Sequence, residues 1–153
     1  MTEISFHFNA PDKLNYACRL LRKTVNGGAK ITVTGSPEVL GQLDAMLWTV
    51  SPPDFIAHCF NDDSAAMVAA SPVLLGQPVL APTTFDSAGA LMKRSVLVNL
   101  GDHVPEGFES YERMAELVGN AEGDRLLARE RWKYYASRGY TMTRHDLAAK
   151  ATP

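Results

Sequence analysis

At 153 residues, 46% of them hydrophobic, the chain has the size of one compact domain with a sizeable core. Its 15 Lys and Arg stand against 17 Asp and Glu, a net charge of -2, which argues against the basic surface of a sequence-independent polyanion binder and makes any cationic function local. No apolar run of about 18 residues marks a membrane span, Met1-Thr2-Glu3-Ile4 does not open a signal peptide, and the isolated Cys18 and Cys59 fit buried thiols, so a cytoplasmic protein with no membrane partner is expected.

Ile4-Ser5-Phe6-His7-Phe8 alternates with period two and predicts a first strand. Asp12 can cap a helix whose apolar positions Leu14, Ala17, Cys18, Leu21 and Val25 recur at helical spacing, with Gly27-Gly28 as its stop. Lys30 to Thr34 reads as a second strand. Ser36-Pro37 opens another helix through Leu40, Leu43, Leu47 and Trp48, which must end before Pro52-Pro53. Further strands are expected at Phe55 to His58, Val73 to Leu75, Val79-Leu80 and Ser95 to Leu100. Phe108 to Val118 is predicted helical, and Leu126 to Tyr135 lies on a last, basic helix.

Strands alternating with helices at this spacing predict a single three-layer α/β domain of Rossmann-like type with a mainly parallel sheet. It would span residues 1–145, with a flexible tail at 146–153. The phosphate-binding loop of such folds is missing: Asn9-Ala10-Pro11-Asp12-Lys13 follows the first strand without a glycine, and Gly35-Ser36-Pro37 follows the second. His58-Cys59 would face opposite sides of a strand, and Asp62-Asp63 has no second His or Cys at ligand spacing. Neither a catalytic residue, nor a cofactor, nor a metal is therefore expected.

Two surfaces remain. On the last helix Arg125, Arg129, Trp132 and Lys133 fall within an arc of roughly 100°, cations around a flat aromatic that suit an acidic peptide with an apolar anchor. Spacing alone equally fits a solvated face whose Arg and Lys stems cover the core. Trp48 at a helix end and Phe55 past the double proline either form an apolar patch for a partner or pack the helix on the sheet. A Rossmann-type enzyme and a direct nucleic-acid-binding module are the alternatives, disfavoured by the absent loop and by the charge.

Leu43-Asp44-Ala45-Met46-Leu47-Trp48, Asp54 to His58, Val96 to Leu100 and Ala128-Arg129-Glu130-Arg131-Trp132-Lys133 resemble, in that order, the chi subunit of the bacterial DNA polymerase III holoenzyme. The resemblance spans nearly the whole chain. It implies a noncatalytic clamp-loader accessory with a Rossmann-like fold and no nucleotide site. It further implies binding to the acidic C-terminal tail of the single-stranded DNA-binding protein through Arg129, Trp132 and Lys133, with Arg125 and Val118 beside them. A psi subunit or an equivalent clamp-loader component would meet Trp48 and Phe55, and DNA would be contacted only indirectly.

Overall fold

The computed structural model describes residues 2–49, 56–60, 64–76, 83–85, 91–93 and 95–150. Alternating Ile4, Phe6 and Phe8 sit in strand β1 (Glu3–Ala10). Asp12 accepts the Asn15 amide at 3.0 Å and starts helix α1 (Lys13–Asn26), and Gly28, at φ 89°, supplies the left-handed stop that a side chain would resist. After β2 (Ile31–Thr34), the Ser36 hydroxyl accepts from the Val39 amide and opens α2 (Pro37–Thr49). The chain continues through β3 (His58–Phe60), α3 (Ala65–Ala70), β4 (Val73–Leu75), β5 (Thr83–Phe85), β6 (Leu91–Lys93) and β7 (Val96–Asn99). It closes with β8 (Arg113–Gly119), α4 (Glu122–Ser137), β9 (Met142–Asp146) and α5 (Leu147–Lys150).

Seven of these strands form one parallel sheet in the order β3-β4-β2-β7-β8-β1-β9, while β5 and β6 pair separately as an antiparallel ribbon. One face carries Ile31, Val33, Val73, Leu75, Val98 and Leu117 against Ala17 and Leu21 of α1 and Leu40, Leu43 and Leu47 of α2. The other packs Ile4, Phe6, Leu97, Met114 and Val118 against Ala128 and Tyr135 of α4. This is the three-layer Rossmann-like arrangement expected.

The helix expected at Phe108 to Val118 is corrected. Only Phe108–Ser110 makes a short 3-10 turn, and Arg113–Gly119 is β8, between β7 and β1. Met, Ala, Glu and Leu favour helix, but a central strand covered on both faces needs no alternation, and burial of Met114 through Val118 overrides propensity. The expected strand at Phe55 to His58 starts at His58 itself; Phe55, like Asp62-Asp63 and Val79-Leu80, lies outside the described residues. The boundary expected near Asp146 falls where β9 runs into α5, with Leu147 buried.

Candidate functional site

The first crevice of the sheet, between β1 and α1, is where a Rossmann fold would seat a phosphate on helix N–H groups. Here the Asp12 carboxylate already holds such a group. Asp124, at the start of α4, accepts from the Gly119 amide at 2.7 Å and from Lys13 Nζ at 3.2 Å. Fixed carboxylates at both helix starts oppose an incoming phosphate. Among the described residues no group of His, Cys, Asp and Glu could hold a metal ion.

On the opposite face, a cleft of about 350 Å³ opens between α4 and strands β1, β8 and β9. Phe6 and Phe8 of β1, Val118 of β8, and Ala128 and Trp132 of α4 make it apolar. Phe6 and Trp132 meet edge to face with centroids 5.1 Å apart, which holds the indole half-buried as a wall. Arg125 and Arg129 stand on the helix side and Arg144 on the β9 side. None of the three makes an ion pair with a carboxylate among the described residues.

Of the residues expected there, the fold brings Arg125, Arg129, Trp132 and Val118 together and leaves Lys133 out. Lys133 lies on the side of the helical arc away from the inward-facing Ala128, Arg131 and Tyr135. Its side chain is 73% exposed and meets Glu130 at 3.5 Å. Sequence reasoning missed Phe6, Phe8 and Arg144, because their approach to α4 depends on pairing of β1 with β8 and β9. The alternation in β1, extended to ask which face each phenylalanine takes, was the one available signal.

Beneath the cleft, a buried polar network ties α4 to the sheet. Arg131 Nε donates to Glu116 Oε1 at 3.0 Å, and its Nη1 donates to the Asp102 carbonyl at 2.9 Å. The Tyr135 hydroxyl donates to Glu116 Oε2 at 2.5 Å, and Asn99 Nδ2 donates to Glu116 Oε1 at 2.9 Å. Burial pushes the Glu116 carboxyl above the usual carboxylate range, against the opposing pull of Arg131 and the hydrogen bonds. Tyr135 is raised first by burial and then by the Glu116 charge. The network fixes how α4 lies on β8, and so where Arg125, Arg129 and Trp132 stand.

At the far edge of the sheet, Trp48 is 60% exposed with its ring 5.1 Å from that of His58. His58 is buried in β3 between the Ile56 carbonyl, 2.7 Å from Nδ1, and Asp44 Oδ1, 2.9 Å from Nε2. The order β3 to β9 puts this patch and the cleft at opposite ends.

Residues 1–143 match the family described as DNA polymerase III chi subunit, HolC. The chain belongs to the DNA polymerase III chi-subunit family. It is 29% identical over 153 residues to the DNA polymerase III subunit chi of Pseudomonas aeruginosa, an alignment covering 96% of this chain and 98% of that protein. With the corresponding subunit of Haemophilus influenzae it shares 22% over 132 residues, covering 86% and 85% respectively. Membership agrees with the resemblance drawn from the Trp48 segment and the basic helix, and places the chain in DNA replication as a polymerase III subunit.

Proposed function

We propose that the chain is a non-catalytic, clamp-loader-associated subunit that tethers the replicative polymerase to the acidic C-terminal tail of the single-stranded DNA-binding protein. The observation that carries this is the cleft of apolar walls and arginines that pair with no carboxylate of the described residues. An acidic peptide ending in an apolar residue matches both halves: its side chain enters the aromatic cleft and its carboxylates meet guanidinium groups. The carboxylates at the starts of α1 and α4 speak against a nucleotide-dependent enzyme. Contacts of this kind are exchangeable, which suits a tether that must let go.

Trp48 supports a second contact, with a psi subunit or an equivalent clamp-loader component, because an exposed indole is a strong interface anchor. DNA is then reached through the protein that coats it.

Calorimetry with an acidic tail peptide ending in phenylalanine, a nucleotide and an oligonucleotide tests the proposal. Binding of the peptide alone, lost when the phenylalanine is removed, is the expected outcome. Nucleotide binding, or oligonucleotide binding without the peptide, would replace the tether with an enzyme or a nucleic-acid module.

A further inference from the structure

Arg144 is set apart from the basic helix. It lies on β9, across the cleft from α4, and one position beyond the 1–143 segment that matches the family. Its guanidinium carbon is 5.3 Å from the centre of the Phe8 ring and 5.9 Å from that of Trp132, within the range of cation–π attraction. The cation therefore rests on the aromatic walls. Asp146, two residues on, is held by Asn9 Nδ2 at 2.9 Å and by the Ala148 amide at 3.0 Å. Asn9, at φ 61°, sits at the irregularity that ends the β1 pairing and also lines the cleft, so the strand bearing Arg144 is fastened to its wall.

We infer that Arg144 binds the terminal carboxylate of the residue whose side chain fills the cleft, so that the site selects a free C-terminus over an internal acidic stretch. This rests on the tail-binding proposal above. A terminal carboxylate is attached to the same Cα as the buried side chain, and so lies at the mouth of the aromatic cleft. The cation already in contact with those rings is the one it meets. Acidic side chains further back along the peptide are left to Arg125 and Arg129 on the facing helix. An amide or a continuing chain at that mouth brings no charge, and the guanidinium loses its charge-assisted, two-toothed contact.

The test uses the full chain and one acidic peptide ending in phenylalanine, made as the free acid and as the C-terminal amide, titrated by fluorescence anisotropy. Amidation should weaken wild-type binding about tenfold or more, the size expected for loss of one charge-assisted contact. In Arg144→Gln the free acid should bind about as weakly as the amide, and the two should differ by less than about twofold. Arg129→Ala should weaken both peptides and keep their ratio. An amidation effect undiminished in Arg144→Gln, or abolished in Arg129→Ala instead, would overturn the assignment to Arg144 while leaving the tether intact. A wild-type chain that binds neither peptide would overturn both.

Discussion

At the β9 edge the sheet meets solvent through Arg144 and a cleft flanked by Arg125 and Arg129, whereas at the β3 edge it meets solvent through Trp48, lying against a histidine already held by Ile56 and Asp44. One edge offers charge over aromatic rings and the other offers apolar area. Charge pairs in water are screened by salt and exchange readily. Apolar area is insensitive to salt and gives contacts that persist. Six steps between seven strands, at about 4.8 Å each, put the edges roughly 29 Å apart. Two partners can therefore be held together without competing, one briefly and one durably.

Breaking the frame beneath the cleft should have the largest effect. Arg131→Ala leaves Glu116 buried without its cation, and removal of one partner from such a pair costs about 3–5 kcal/mol. Thermal unfolding should show a melting temperature lower by many degrees. The paired replacement Glu116→Gln with Arg131→Met should recover much of that loss; a single variant as stable as wild type would mean that the network does not hold α4.

Smaller, and confined to one edge, is the loss expected from Arg129→Ala. A hydrogen bond to a charged group contributes about 1.5–3 kcal/mol, so calorimetry should find tail-peptide binding weaker by roughly tenfold to a hundredfold with the melting temperature nearly unchanged. Trp48→Ala should do the converse. It should weaken a clamp-loader partner by about 2 kcal/mol in co-purification and titration, and leave the tail peptide unaffected. A fall in stability with partner affinity intact would instead make the indole a packing group. Least of all, raising salt from about 0.05 to 0.3 M should weaken the peptide severalfold while sparing the Trp48 contact, and equal salt sensitivity at both edges would erase the distinction between them.

Local chemistry made much of the fold legible. Asp12, Gly28 and Ser36 act through neighbours within a few residues, so α1 and α2 could be read directly. β8 could not, because Met114 to Val118 carry helix-forming side chains and are buried on both faces of a central strand. The same limit divided the site. The 100° spacing of α4 brings Arg125, Arg129 and Trp132 together, yet it also counts Lys133, since spacing cannot say which side of an arc meets the sheet. Arg144 and the β1 phenylalanines reach the cleft only through pairing across the sheet, which no window of sequence contains.

The hydrogen bond from Asn9 to Asp146 joins positions 137 residues apart. A ribosome adding about 5–20 residues per second makes the first of them on the order of ten seconds before the second. Through that interval the nascent chain carries Phe6 and Phe8, and late in it the arginines of α4, but not the wall that faces them. The cleft becomes whole only when the last strand of the sheet has been made, so an unfinished chain cannot occupy a finished subunit's place on its partner.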